Sequence, residues 1–211
     1  MRDFPVFTTE NGVGSIVLKE IPYSGVAYVT IRDSAAQKDF LSECVEFCRA
    51  VGAQRIFATG DALECYPFYM SVIRMSASYD ILPATDACLF PVTESTLARF
   101  REIYNNKMKH VDNVAFMSER VASEMLKRGD GYFVHRDGKL LGIGMAAEDQ
   151  IACVVSVERG AGREVVCALK HALMCECIVL EVASTNHKAI SLYESLGFLK
   201  TEEISKWYKI Y

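Results

Sequence analysis

Residues 159 to 163 read Arg-Gly-Ala-Gly-Arg and stand between a β-branched run, Ile151 to Val157, and a run of helical period, Arg163 to Met174. A glycine turn at that place leaves the first N–H groups of the helix unpaired and clears side chains from their approach, which suits them to phosphate oxygens. Arg159 and Arg163 add positive charge, while Glu164 has to turn outward if the turn holds an anion. A second run, Leu-Glu-Val-Ala-Ser-Thr-Asn-His-Lys-Ala-Ile-Ser-Leu-Tyr-Glu-Ser-Leu-Gly-Phe, spans Leu180 to Phe198. In it Tyr193 carries a phenol, protonated at neutral pH and able to hand a proton to a leaving thiolate. Asn186 offers an amide where a helix begins. Glu148 and Asp149 precede the first strand, and a carboxylate there could accept the proton of an attacking amine. His110, His135, His171 and His187 have no partner at a recognisable spacing.

Positioning these groups takes a regular scaffold. Leu180 and Val182 alternate as on a strand, and Ala189, Leu192, Tyr193 and Leu196 share one helix face that Gly197 ends. Upstream come a strand at Cys88 to Val92 and a helix that Thr93 caps, with Leu97, Phe100, Tyr104 and Met108 as its buried face. A second helix runs from Ser118 to Lys127, and Asp137-Gly138 joins two strands in a hairpin, Tyr132 to His135 and Lys139 to Ala146. With the strand at Ile151, the helices at Arg163 and His187, the strand at Ile178 and a last strand near Trp207, the second half reads β-α-α-β-β-β-α-β-α-β. The fold class is α/β with a mixed sheet.

The first half repeats part of that order. Strand Gly25 to Arg32 leads to helix Ala36 to Val51, whose stripe is Phe40, Leu41, Cys44, Val45, Cys48 and Val51. Strand Arg55 to Thr59, a short helical piece at Ala62 to Tyr69 and strand Ser71 to Ser76 follow. Turn residues cluster from Asp80 to Ala87, dividing the chain into residues 1–82 and 83–211.

A formal charge of -4 and a pI near 5.6 argue against nucleic acid as a partner. The apolar runs are strand-sized, and Met1 to Pro5 opens no apolar leader, so neither a membrane nor export is expected and the cytoplasm is the default. Eight cysteines occur without a Cys-x-x-Cys spacing, so no metal is expected. Cys175 and Cys177 bracket Glu176 and would need ligands from elsewhere.

The run from Leu180 to Phe198 resembles the acyl-CoA-binding strand and helix of the GNAT superfamily of N-acyltransferases, Leu-x-Val-x-x-x-Asn-x-x-Ala-x-x-x-Tyr-x-x-x-Gly-Phe, at every position. Arg159 and Gly162 match the family's Arg/Gln-x-x-Gly-x-Gly/Ala turn. The resemblance implies a GNAT-like fold over residues 83–211, with acetyl-CoA as co-substrate and a small-molecule or peptide amine as acceptor. It implies Arg159, Gly160, Ala161, Gly162 and Arg163 at the pyrophosphate, and backbone groups of Val155 and Val157 on the pantetheine between two splayed strands. Asn186 would bind pantetheine or a water, Tyr193 would protonate the thiolate, and Glu148 would serve as base. The reaction would be direct attack through a tetrahedral intermediate; the alternative is a non-catalytic CoA-binding or scaffold protein. Oligomeric state is open, a homodimer included. Residues 25–79 resemble a GNAT half without its chemistry: Asp33 to Gln37 stand where the turn would align, Gly60 or Asp61 where the Asn would, and Tyr66 or Tyr69 opposite Tyr193.

Overall fold

The computed structural model describes residues 6–109, 111–112 and 114–211, so the readings of Met1 to Pro5 and of His110 fall outside the described residues. The chain begins with a hairpin of Val6–Thr9 (β1) and Gly12–Val17 (β2) and one helical turn, Ile21–Ser24 (α1). None of these is foreshadowed by periodicity, because Gly12 and Gly14 interrupt the alternation that marks a strand. Val26–Ser34 (β3), Gln37–Ala50 (α2), Arg55–Thr59 (β4) and Phe68–Ser78 (β5) follow. The helical piece expected at Ala62 to Tyr69 is instead a run of turns entering β5. Pro67 has no N–H for a helix and holds Tyr66 away from helical dihedrals, and Ala62 has φ 51°.

The second half supplies Cys88–Pro91 (β6), Glu94–Met108 (α3), Glu119–Arg128 (α4), Gly131–Arg136 (β7), Lys139–Ala147 (β8) and Gln150–Ser156 (β9). Gly162–Leu169 (α5), Cys177–Ala183 (β10), His187–Ser195 (α6) and Leu199–Lys209 (β11) complete it. Ser118 caps α4 by accepting from Val121 N at 3.3 Å. Thr93 N donates to Thr96 Oγ1 at 2.9 Å at the start of α3. Among the described residues no helix is long and apolar enough to cross a membrane, and no group of three or more His, Cys, Asp or Glu could hold a metal ion. All eight cysteines are free thiols.

The chain forms two compact units. The first runs to Val72 and takes back Glu203–Tyr211; the second is Ile73–Glu202. Strands β5 and β11 therefore each belong partly to both. In the first unit the strand order is β1-β2-β3-β4-β11-β5, and α2 packs Phe40, Leu41, Cys44 and Cys48 onto Ala27, Val29, Ile56 and Ala58. Strands β3 and β4 are parallel and paired along all of β4, from Val26↔Arg55 to Thr30↔Thr59.

In the second unit the order is β11-β5-β10-β9-β8-β7-β6. One face of this sheet is covered by α5 and α6, through Val165, Val166, Leu169, Ile190, Tyr193 and Leu196. Over β7, β8 and β9 the other face is covered by α3 and α4, through Phe100, Ile103, Ala122 and Met125. Helix α5 lies close on the sheet because β8 presents Gly142 and Gly144 beneath it: a Cβ on Gly142 would meet Val165 Cγ2 at 2.6 Å, and one on Gly144 Leu169 Cδ1 at 2.3 Å.

Candidate active site

The glycine turn joins β9 to α5. Gly160 has φ 84°, a conformation that a side chain resists, and it faces open space. Ala161 is the N-cap of α5 with no side-chain cap, and the first helical bond is Val165 N to Ala161 O at 3.0 Å. The N–H groups of Gly162, Arg163 and Glu164 are thus at the open end of the helix, where its dipole favours an anion. Glu164 turns away from this end to pair with Arg136 Nη1 at 2.5 Å, and Glu158 pairs with Lys139 at 2.9 Å. The acidic residues flanking the turn are thereby neutralised, and Arg159 is left exposed beside Gly160.

Strand β9 stays beside β8 but leaves β10. The parallel register of β9 and β10 covers only Gln150↔Val179 and Ile151↔Leu180, although the strands continue to Ser156 and Ala183. A bulge marks the departure: Met145 pairs with Cys153 and Ala146 with Ile151, leaving Ala152 without a partner on β8. Side chains change face there, since Ile151 joins the core under α5 and α6 while Cys153 and Val155 join the one under α3 and α4. A wedge of unpaired backbone therefore opens above Leu180.

The wedge presents other backbone groups than the expected Val155 and Val157. Val157 N donates to Leu141 O at 2.9 Å, on the β8 side. Strand alternation turns Val155 the same way and directs the N–H and C=O groups of Val154 and Ser156 toward the wedge. The sequence reading is displaced by one residue.

Asn186 and Tyr193 lie on α6. Asn186 is the N-cap, its Oδ1 accepting from Ala189 N at 3.2 Å, which leaves its amide nitrogen for a ligand or water. Tyr193 is buried, its ring 5.8 Å from that of Phe198, and no hydrogen bond to its hydroxyl is formed among the described residues. Burial pushes the phenol well above its usual value, and an ionised Cys153 nearby would push it further, so Tyr193 is a neutral donor across the physiological range. The β10–α6 turn is tied to the α3–α4 connection by Thr185 Oγ1 donating to Asp112 Oδ2 at 2.8 Å.

Glu148 lies on the exposed two-residue turn between β8 and β9, with φ 58°. At about 3.3 Å per residue it is about 13 Å along the strand from the bulge, on the paired side of the wedge. A nearer carboxylate is Glu181, the residue after the last position at which β10 pairs with β9. Leu180 and Val182 point into the core beneath α5 and α6, so Glu181 points to the opposite face, the one shared by Cys153 and Val155. It was legible in outline: a charged residue between Leu180 and Val182, just before the motif Asn, has to face away from the core.

No family model matches the sequence, and no curated protein matches it. Solved structures do. A tandem GNAT protein from the clavulanic acid biosynthesis pathway superposes with a TM-score of 0.56 over 94% of this chain and 78% of its own, at 14% identity. The chain has the GNAT fold. An acetyltransferase of the GNAT family from Colwellia psychrerythraea shares it at TM-score 0.54 and 13% identity, over 97% of this chain and 84% of its own. A conserved protein of unknown function from Staphylococcus epidermidis matches at 0.60 and 11% identity, over 99% and 94%. All three superpositions span both compact units.

Proposed function

We propose that the chain is an N-acetyltransferase that moves an acetyl group from acetyl-CoA to a primary amine. The observation that carries this reading is the wedge above Leu180↔Ile151, flanked by the open end of α5 and by Asn186 and Tyr193 of α6. The turn at Arg159 to Arg163 would take the pyrophosphate, with N–H groups of Gly162 to Glu164 as donors. The pantetheine would lie in the wedge as an added strand on Val154 and Ser156, with the thioester near Ala152. Asn186 would orient it.

In the reaction the neutral amine attacks the thioester carbonyl and forms a C–N bond. Glu181 takes the ammonium proton, directly or through water. The tetrahedral intermediate collapses with cleavage of the C–S bond, and Tyr193 donates its hydrogen bond or proton to the departing thiolate. Glu148 remains a candidate base only through a chain of waters. The acceptor class extends from small amines to peptide amines. Residues 1–82 are read as a degenerate half-repeat and 83–211 as the acyltransferase domain, with β5 and β11 each divided between the two compact units.

Calorimetric titration with CoA tests the donor half: micromolar binding is expected in the wild type and its loss in Arg159→Ala combined with Gly162→Trp. A wild-type chain that gives no heat at high CoA concentration sinks the reading. Binding without thiol release on any amine of a broad panel would favour a CoA-binding protein that does no chemistry.

A further inference from the structure

Arg74 lies on β5, the strand with which the first half ends. Its neighbours Met75 and Ala77 belong to the core under α5 and α6. Alternation near them puts the Arg74 side chain on the opposite face, the one to which Glu181 points. There its guanidinium reaches two carboxylates, Nη1 to Glu202 Oε2 at 2.5 Å and Nη2 to Glu181 Oε1 at 3.3 Å. The carbonyl of Arg74 accepts from Thr201 Oγ1 at 3.2 Å, so its backbone is also fixed to β11.

We infer that Arg74 is a positioning residue for Glu181, holding that carboxylate at the mouth of the wedge, with Glu202 as the anchor that holds Arg74. This rests on the transfer reaction proposed above. The three side chains are 41%, 39% and 55% exposed, and ion pairs so open to water add little to stability. Their geometry is better suited to orientation. A planar guanidinium offers separate N–H groups to two acceptors and fixes the direction of both, which an ammonium does not. The shorter contact is to Glu202 and the longer to Glu181, so Glu181 can turn to an incoming amine while Arg74 keeps its place. Arg74, Glu181 and Glu202 all belong to the second compact unit, in which β5 and β11 thereby serve the chemistry of β10.

The test is steady-state thiol release from acetyl-CoA with putrescine, tyramine and a short peptide bearing a free α-amino group. The full chain is compared with Arg74→Met, Arg74→Lys, Glu181→Gln and the Arg74→Met/Glu181→Gln pair. Arg74→Met is expected to lower kcat about tenfold while leaving the acetyl-CoA KM within about twofold, and Arg74→Lys to recover part of the loss. The double variant should be no slower than Glu181→Gln alone, because Arg74 acts through that carboxylate. Unchanged urea midpoints would exclude a folding defect as the cause. Wild-type kcat in Arg74→Met, or a loss that multiplies in full onto that of Glu181→Gln, overturns the inference and leaves the transfer reading standing. A wild-type chain inactive on every amine overturns both.

Discussion

At the scale of single residues the proposed chemistry depends on Tyr193 staying protonated and on Glu181 facing the wedge. Replacing Tyr193 with Phe keeps the ring that packs near Phe198 and removes only the donor. The expected result is a fall in kcat of about 10²-fold with CoA affinity unchanged. Equal turnover by the variant would assign Tyr193 to packing alone. The same burial has a consequence for stability. The Cys153 thiol is pushed from 9.0 to about 12 by burial, and the Tyr193 phenol rises from 10.0. In the unfolded chain both release their protons at the ordinary values, whereas in the fold they hold them. Above pH 9.0 the native state therefore binds more protons, and stability is fully present below that point and falls as pH rises toward 12. Cys44, raised to about 12, acts in the same direction. Urea midpoints should be flat from neutrality to about pH 8.5 and then decline, less steeply in Cys153→Ala. A midpoint rising through that range would contradict the assignment.

At the scale of elements, the site depends on how closely α5 can lie on the sheet and on where β9 leaves β10. Gly142 controls the first, since a Cβ there would meet Val155 O at 2.3 Å as well as Val165 Cγ2. Gly142→Ala should cost about 1–3 kcal/mol by urea denaturation, because one of the two obstacles is backbone and cannot rotate aside. It should also weaken CoA binding by displacing β9 toward the wedge, and a variant with wild-type stability would show that the strand yields freely. Much of this was readable beforehand. The periods of α5, α6 and β10, the Ser118 cap and the Asn186 helix start all follow from spacing in the sequence. The bulge at Ala152 was not readable, since it depends on the register between β8 and β9, which no local pattern specifies. That one unpaired residue moved the free backbone groups from Val155 and Val157 to Val154 and Ser156. The place of Glu181 is hidden in the sequence for a similar reason: it lies just past the end of the β9–β10 pairing, and only the paired structure reveals where that end is.

At the scale of the whole chain, the two halves repeat an order of elements but not a site. In the first unit β3 and β4 are zipped together through the last residue of β4, so no wedge opens where the second unit has one. No glycine turn precedes α2, and no helix stands where α6 would follow, since residues 60–67 form turns on the way to β5. A single CoA per chain is the expected stoichiometry in calorimetry, lost altogether rather than halved when the Arg159 to Arg163 turn is disrupted. Two equivalents, or half the heat surviving that change, would mean that β3 and β4 part in solution and that the first half retains a donor site. Because β5 passes from the first unit into the second and carries Arg74, removing β1 to β4 should lower kcat for thiol release even though no wedge opens between β3 and β4. The loss would come through β5, because the strand beside it, β11, loses its pairing with β4; a chain beginning at Phe68 that kept the wild-type kcat would show that β5 holds Arg74 in place without β4.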